Sequence, residues 1–226
     1  MASLASARRC EALLKMAKLY WPNVRFYGQQ RAVIQSVVEN RETVVVAGNQ
    51  LGKDFVAGFV VLSFFLCPQL YFEEGHVSQI EKERRLGQPD WQVHTRRIVT
   101  TSVDGDQLRN LWGEIGRYVV TSRVPLLEAQ GGPLLVNQRD ISLKEERSKT
   151  KEPLNYLIGR VTATGEGLSG AHAAYNLMVI DEASGSDNAV YEFAQGWAKK
   201  FLIFGNPNTC ENFFRRAVQG GDLEIK

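Results

Sequence analysis

Residues 43–54 read Thr-Val-Val-Val-Ala-Gly-Asn-Gln-Leu-Gly-Lys-Asp. The segment opens with apolar residues typical of a buried strand, and the almost wholly apolar stretch 55–66 that follows it predicts a buried helix. Gly48 and Gly52 allow the main chain to curve closely around an anion. A helix that begins near Lys53 directs unpaired N–H groups at the same place. This order of strand, glycine loop and lysine predicts a phosphate-binding loop.

The loop departs from the usual pattern at its last position. That pattern ends in Gly-Lys-Ser or Gly-Lys-Thr, whose hydroxyl contacts Mg²⁺, whereas Asp54 follows Lys53 here. A carboxylate also ligates Mg²⁺, but it adds negative charge beside an anionic triphosphate, so we expect weakened use of nucleotide. An ordinary glycine turn is the alternative. The predicted nucleotide-binding loop comprises Gly48, Asn49, Gln50, Leu51, Gly52, Lys53 and Asp54.

Composition bounds the class of protein that carries this loop. The chain has 226 residues, 44% of them hydrophobic, which suffices for one α/β domain with a full core. Its net charge of +2 neither requires nor excludes a nucleic-acid partner. No apolar run has the length of a membrane span, so we expect no membrane partner. The widely separated Cys10, Cys67 and Cys210 predict reduced thiols.

The hydrophobic pattern predicts strands that alternate with helices, and therefore a mostly parallel sheet covered on both faces. Asp104 or Asp106 is expected to cap a helix. That helix would bury Leu108, Leu111, Trp112, Ile115 and Tyr118. Helices are predicted over 7–20, up to Val38, over 55–66 and after Asp104, and strands at 43–47, 97–101, 177–180 and 201–204.

Two regions are less regular. The charged stretch 73–97 predicts an exposed excursion. Short apolar pieces predict a small antiparallel element beside the main sheet. These pieces lie at 134–137, 141–143 and 156–161.

A second motif occupies residues 177–182, Leu-Met-Val-Ile-Asp-Glu. Its four apolar residues predict a buried strand, and ligands of open α/β sheets bind at the carboxyl ends of such strands. One of the two carboxylates would hold Mg²⁺, and the adjacent one would orient and deprotonate the attacking water. Alone, the pair would equally suit the start of a loop or a helix cap, but the phosphate loop upstream favours the catalytic interpretation.

A third polar segment follows the next buried strand. Residues 201–204 read Phe-Leu-Ile-Phe, and Gly205-Asn206-Pro207 comes directly after them. A polar side chain at this strand end would contact the γ-phosphate or the attacking water. Because Gly-Asn-Pro is also good turn chemistry, a plain strand-to-helix turn is the alternative.

Together these segments resemble the ATPase domain of the large terminase subunit of tailed bacteriophages. The resemblance covers about residues 22–216 in order. Phe-Tyr-Gly-Gln-Gln-Arg at 26–31 resembles the segment whose glutamine contacts adenine; Gln30 is the match, with Gln29 as the alternative. The other matching segments are the phosphate loop at 48–53, the approach to the acidic strand at 165–172 and 179–185, and the coupling motif at 204–207.

The resemblance implies a three-layer P-loop NTPase of the RecA-like ASCE class, with a mostly parallel central sheet flanked by helices and a small antiparallel addition. It implies an ATP-hydrolysing motor that uses Mg²⁺ and translocates double-stranded viral DNA into the procapsid. The implied partners are the portal protein, the small terminase subunit and other copies in a homo-oligomeric ring, commonly a pentamer. The implied location is the host cell cytoplasm.

The resemblance also assigns roles to residues. Lys53, Glu182 and Asn206 would be catalytic, and Asp181 and Asp54 would hold the metal. Gln30 and the loop would bind ATP. We expect a single ATPase domain over 1–226, with a helical segment at 1–22, a core at 23–216 and the start of a linker at 217–226. The C-terminal nuclease domain of the family is expected to be absent, with no nuclease activity.

Two assignments stay open. Some family members have an arginine that completes the neighbouring subunit's site, just before the glycine matched by Gly170, where this chain has Ser169. Arg139, Arg147 and Arg160 are the candidates to replace it. The candidates for DNA contact are Arg84, Arg85, Arg96, Arg97 and the segment 144–151, although charge runs usually form solvated faces.

Two other functions fit the same motifs. A helicase-like nucleic-acid ATPase shares the loop, the acidic pair and the glutamine, but it needs a second motor domain. A nucleotide-binding module with weak or no turnover is the second alternative, and Asp54 is the feature that favours it.

Overall fold

The computed structural model describes residues 4–48, 52–147, 149, 153–162, 171–206 and 211–219. The helices in this part of the chain are α1 Leu4–Tyr20, α2 Gly28–Glu39, α3 Lys53–Leu66, α4 Glu74–Lys82, α5 Asp90–Val93, α6 Gly105–Thr121, α7 Lys144–Arg147, α8 Asn188–Gln195 and α9 Phe213–Gln219. The strands are β1 Glu42–Val46, β2 Arg96–Ser102, β3 Leu134–Asn137, β4 Asp140–Leu143, β5 Tyr156–Val161, β6 Tyr175–Asp181 and β7 Lys200–Gly205.

All seven strands form one sheet in the order β1-β7-β6-β2-β5-β4-β3. The strands β1, β7, β6, β2 and β5 are parallel, and β4 and β3 continue the sheet antiparallel. Strand β7 lies between the strand of the predicted phosphate loop and the strand of the acidic pair. The carboxyl ends of β1, β7, β6 and β2 therefore meet at one edge of the sheet, because parallel strands end on the same side.

Helices cover both faces of the sheet, as the alternation of apolar residues requires. On β6, Leu177 and Val179 pack in the core that α1, α2, α3 and α6 cover. Met178 and Ile180 pack in a second core on the other face, with residues of α8 and α9. The predicted three-layer α/β fold with a mostly parallel sheet is confirmed.

An aromatic cluster joins α1, α2, α3 and α6 on the first face. The indole of Trp21 donates a hydrogen bond to the Tyr118 carbonyl at 2.6 Å and meets the Phe59 ring edge-on, with centroids 5.9 Å apart. Phe26, just before α2, packs on Phe59 at 4.7 Å between centroids. This packing fixes the start of α2 beside the start of α3, and therefore places Gln30 next to the predicted loop.

The small antiparallel element predicted in the irregular region 123–160 is present, and it extends the main sheet. Strand β5 pairs parallel with β2 on one side and antiparallel with β4 on the other. The fully buried Glu146 accepts hydrogen bonds from the backbone and side-chain N–H groups of Asn155, and Asn155 also contacts the start of β2. These polar contacts join the antiparallel strands to the parallel ones.

The stretch 73–97 is exposed only in part: α4 has no buried residue, as the prediction of an exposed excursion requires, whereas α5 contributes buried side chains and 96–97 begin β2. Trp91 and His94 are 3% and 4% exposed. The His94 ring lies between the Tyr175 hydroxyl, at 3.0 Å, and the Glu81 carboxylate, at 2.6 Å. A few buried side chains thus hold a charged segment against the sheet. Among the described residues, no helix is long and apolar enough to cross a membrane.

Candidate active site

Helix α3 begins at Lys53, directly after a glycine in the left-handed conformation. Gly52 has a φ of 71°, in the left-handed region. A Cβ at this position would lie 2.9 Å from the Gln30 amide nitrogen. Only glycine therefore suits both the backbone angle and the close approach of α2. The N-terminus of a buried helix, with its unpaired N–H groups, faces the carboxyl edge of the sheet.

Lys53 reaches from α3 to the acidic pair at the end of β6. Its ammonium lies 3.0 Å from Asp181 Oδ1 and also contacts Glu182 Oε1. The three side chains are only 10%, 3% and 13% exposed, respectively, so water screens these charges weakly. The two carboxylates thus hold the lysine at the carboxyl edge of the sheet.

The end of β7 completes this cluster. Asn206 donates a hydrogen bond from Nδ2 to Glu182 Oε2 at 2.9 Å. Glu182 itself has a φ of 53°, an uncommon left-handed conformation for a residue with a side chain. Such strain persists where the surrounding structure enforces it, and it concentrates at functional sites. Four predicted residues from α3, β6 and β7 therefore form one polar cluster.

The carboxylates and the lysine shift one another's protonation. Burial lowers the pKa of Lys53, but its hydrogen bond with Glu182 and the charge of Asp181 more than offset this, so the net pKa lies above its ordinary value. Burial raises the pKa of Asp181 against the opposing charge of Lys53. Burial, with the nearby charge of Asp181, also raises the pKa of Asp54 to about 6. The site carries more buried negative charge than one lysine balances.

The unpaired oxygens of this cluster fit a cation. Asp181 Oδ2 and Asn206 Oδ1 are buried and have no hydrogen-bond partner among the described residues. Oxygen ligands are those that Mg²⁺ prefers, and it keeps several waters or phosphate oxygens in its shell. No group of three His, Cys, Asp or Glu side chains in the described ranges is arranged to enclose a metal. The donors thus suit a hydrated Mg²⁺ shared with phosphates rather than a closed protein cage.

Gln30 and Gln29 differ in their surroundings. Gln30 is 8% exposed, and its Oε1 accepts a hydrogen bond from the backbone N–H of Tyr27 at 3.2 Å. Gln29 is exposed. The structure therefore places Gln30, and not Gln29, against Gly52 at the loop. Asn49, Gln50, Leu51, the segment 165–170 with Ser169, and Pro207 lie outside the described residues.

A cleft of about 680 Å³ opens beside the loop. Residues 52–55 form one wall, and the polar face of α6, with Gln107, Arg109 and Glu114, forms the other. Its size falls in the range of small-molecule sites. The sequence pattern identified only the buried face of α6, because the residues that line the cleft have no periodic signal of their own.

A further polar residue was not predicted. Asn212, just before α9, donates from Nδ2 to the carbonyls of Ala183 at 2.8 Å and Ser186 at 2.7 Å. It also accepts the backbone N–H of Phe214 at 3.1 Å, as a helix cap does. Asn212 therefore clamps the turn that follows Glu182. An asparagine before Phe-Phe-Arg-Arg is a helix-start signal that would have revealed α9.

The arginines considered as partners of the site lie farther along the sheet. Arg139 donates to the Gly105 carbonyl at 3.1 Å, near the start of α6. Arg147 lies 3.9 Å from the Asp140 carboxylate. Arg160 is exposed near the carboxyl end of β5. These positions do not identify which of the three arginines would complete the neighbouring subunit's site.

The residues predicted to contact DNA mostly have partners within the chain. Arg84 pairs with Asp90 at 2.5 Å. Arg96 and Arg97 begin β2 at the opposite edge of the sheet from the candidate site, and their guanidinium groups lie over the Phe65 and Tyr156 rings. Their contact with DNA remains a prediction.

Comparison with solved structures shows the fold class. The chain is similar to the large terminase ATPase domain of Thermus phage P74-26, with a TM-score of 0.60 and 15% identity over 93% of this chain and 76% of that one. A mutant of that domain gives a TM-score of 0.59 and 16% identity over 93% and 77%. The large terminase of bacteriophage HK97 gives 0.52 and 12% over 95% of this chain and 42% of that one.

These similarities show that the chain has the fold of phage large terminase ATPase domains. No protein-family model and no curated protein matches the sequence.

Proposed function

We propose that this chain binds and hydrolyses Mg–ATP as the motor domain of a viral large terminase, and so drives double-stranded DNA into a procapsid. The observation that carries the proposal is the convergence of Lys53, Asp181, Glu182 and Asn206 within hydrogen-bonding contact. The likeness of the fold to terminase ATPase domains supports the same function.

The loop and Lys53 would hold the phosphates. The backbone N–H groups at the start of α3 and the ammonium of Lys53 supply the positive potential that a triphosphate needs. Because Lys53 is paired with Asp181 and Glu182 in the free protein, a bound phosphate takes over the ammonium. That exchange releases Glu182 from its cationic partner. Gln30 and the neighbouring surface of α2 would contact the base.

Glu182 would then act as the base. A carboxylate freed from Lys53 can orient a water and accept its proton, and Asn206 holds its second oxygen in place at 2.9 Å. Asp181, with Asp54, would hold Mg²⁺. Bound Mg²⁺ neutralises phosphate charge during transfer. Asn206 lies between the base and the loop strand, where its amide can also sense the γ-phosphate.

ATP turnover by three variants tests the site. Glu182→Gln preserves the shape of the side chain and an oxygen that accepts the hydrogen bond from Asn206, but it removes the base. We therefore expect turnover to fall by about 10²–10⁴ with nucleotide binding retained. Lys53→Ala is expected to lose nucleotide binding as well. Lys15→Ala, which removes an exposed lysine of α1 paired with Glu11 at 2.9 Å, is the matched control. Turnover like that of the wild type in both site variants would show that the assignment is wrong.

The coupling to DNA has a separate test. Turnover is measured with and without double-stranded DNA, and a portal-bearing procapsid is added to detect packaging. A motor gives DNA-stimulated turnover that Glu182→Gln abolishes. If neither DNA nor procapsids change the turnover, the proposed ATPase activity stands and the proposed role in packaging is contradicted.

A second candidate function is a nucleotide-binding module with little turnover. It is favoured by Asp54, whose carboxylate lies in the first turn of α3 with a pKa raised by burial and by Asp181. Asp54→Thr restores the usual loop hydroxyl. A large gain in ATP turnover in Asp54→Thr would show that Asp54 slows hydrolysis in an active ATPase. Nucleotide binding with no turnover in either protein would favour the module.

A further inference from the structure

A buried hydroxyl lies beside the acidic pair, on a strand that contributes nothing else to the proposed site. Ser102 ends β2 and is 1% exposed. Its Oγ has no hydrogen-bond partner in the described part of the chain. Buried hydroxyls in native proteins nearly always have a partner. The unpaired Oγ therefore points to a ligand or an ordered water that Ser102 contacts.

The sheet register places this hydroxyl next to Asp181. The two residues are Cα partners at the last pairing of β2 with β6. Partners on neighbouring parallel strands lie about 4.8 Å apart, with side chains on the same face. Ile98 on β2 lies on the same face of the sheet as Ser102, and Leu177 and Val179 on β6 lie on the same face as Asp181. All three apolar residues pack in the core beneath α3 and α6. Ser102 and Asp181 thus both face the helix that begins at Lys53.

Three oxygens that have no hydrogen-bond partner among the described residues therefore lie at the carboxyl ends of three adjacent strands. They are Ser102 Oγ on β2, Asp181 Oδ2 on β6 and Asn206 Oδ1 after β7, and all three are buried. Lys53 engages the other oxygen of Asp181 and leaves this set unpaired. Hydroxyl, carboxylate and amide oxygens are hard ligands of the kind that Mg²⁺ selects.

We propose that Ser102 supplies the hydroxyl ligand of the Mg²⁺ site. In loops that end in Gly-Lys-Ser or Gly-Lys-Thr, the first turn of the helix provides that hydroxyl. Here Asp54 occupies the position, and the hydroxyl comes from β2 on the other side of Asp181. This inference rests on the proposed function, because it names one more ligand of the same site. It also explains how the site keeps a hydroxyl that the loop has lost.

Metal binding to the nucleotide complex tests the inference without catalysis. Mn²⁺ is titrated into protein saturated with a non-hydrolysable ATP analogue, and free Mn²⁺ is read by electron paramagnetic resonance. Ser102→Ala is expected to weaken Mn²⁺ binding about 10–100-fold. The control is Ser142→Ala, which removes another buried hydroxyl of the sheet, 3% exposed, on β4. It is expected to bind Mn²⁺ like the wild type.

A sulfur substitution separates ligation from packing. Ser102→Cys nearly preserves volume but replaces a hard ligand with a soft one, so we expect weaker Mg²⁺ binding and stronger Cd²⁺ binding than in the wild type. This variant also carries the test if Ser102→Ala does not fold. Unchanged metal preference in Ser102→Cys would overturn the inference.

Asp181→Asn distinguishes this inference from the proposed function. If Asp181→Asn weakens Mn²⁺ binding while Ser102→Ala does not, Ser102 is not a ligand and the proposed site stands. If the wild-type nucleotide complex binds no Mn²⁺, both the proposed function and the role of Ser102 are overturned.

Discussion

At the scale of single residues, Gly52 is subject to two separate constraints. Its φ of 71° disfavours any side chain, and a Cβ would lie 2.9 Å from the Gln30 amide. We expect Gly52→Ala to lower the free energy of unfolding by about 1–2 kcal/mol and to displace Gln30 from the loop. Denaturant titration measures the first effect, and base selectivity among nucleotides measures the second.

Gly116→Ala on α6 is the matched control for this change. A Cβ at Gly116 meets nothing within 4 Å, and its φ is not positive. The substitution is expected to stabilise the protein by about 0.4–1 kcal/mol. Equal effects of the two substitutions on the free energy of unfolding would contradict the requirement for glycine at position 52.

Asp54 predicts a pH dependence of stability in the protein free of metal and nucleotide. Its pKa is raised from 3.8 to about 6, mainly by burial. The unfolded chain loses this proton near pH 4 and the folded chain near pH 6. Between these values the folded state binds more protons, so the group's contribution to stability falls as pH rises. Asp54→Asn should therefore gain stability relative to the wild type, by about 1–2 kcal/mol, between pH 5 and pH 7.5.

Chemical denaturation at the two pH values measures this gain. Asp106→Asn, which removes an exposed carboxylate of α6, is the control for loss of a charge. A constant difference between Asp54→Asn and the wild type would contradict the burial of Asp54.

Sequence alone brought most of the site together. Lys53, Asp181, Glu182 and Asn206 each begin or follow an element with a clear apolar pattern, and carboxyl ends of parallel strands share an edge. Ser102 carried no such signal, because a serine after Thr-Thr looks like the end of any strand. Its position beside the acidic pair follows only from its register with Asp181 in the sheet. The partial burial of Asp54 at the cleft beside α6 likewise depends on the tertiary structure, which no local pattern encodes.

At the scale of elements, Asn212 connects α9 to the turn after the acidic pair. Asn212→Ala removes hydrogen bonds to the Ala183 and Ser186 carbonyls and the cap of α9. We expect a loss of about 1–3 kcal/mol of stability and a lower kcat with little change in KM, because the turn sets the backbone of Glu182. Thermal unfolding and steady-state kinetics measure the two effects.

Asp187→Ala provides the comparison for Asn212→Ala. Asp187 caps α8 by accepting the Ala189 N–H at 2.8 Å, so its loss should lower stability without lowering kcat. An equal fall in kcat for both variants would show that general destabilisation, and not the clamp, controls Glu182.

Three features that sequence reasoning missed share one physical property. α4, α5 and the attachment of the antiparallel strands depend on a few buried polar contacts, such as Glu146 with Asn155 and His94 with Glu81. The periodicity of hydrophobic residues identifies apolar faces but gives no signal for such polar pairs. Strands with continuous apolar runs, such as β6 and β7, were predicted within a few residues at each end.

At the scale of the whole molecule, nucleotide binding should stabilise the fold. A ligand at 100 times its Kd adds about 2.7 kcal/mol, which corresponds to roughly 5–10 °C in Tm for a domain of this size. Mg–ATP analogue should raise the Tm of the wild type and of Glu182→Gln, but not of Lys53→Ala. Differential scanning calorimetry measures the shift, and an equal shift in Lys53→Ala would contradict phosphate binding by the loop.

The position of β7 also has a consequence for biosynthesis. In the described sheet, β1 pairs only with β7, from Glu42 with Phe201 to Val46 with Gly205. The strand that leads into the loop is made before the other six strands of the described sheet, yet its neighbour β7 is made after all of them. Closing such a long-range pair is slow. The nascent chain must therefore keep β1 unpaired until β7 has been made, and the edge of the sheet that carries the candidate site can close only after that pairing.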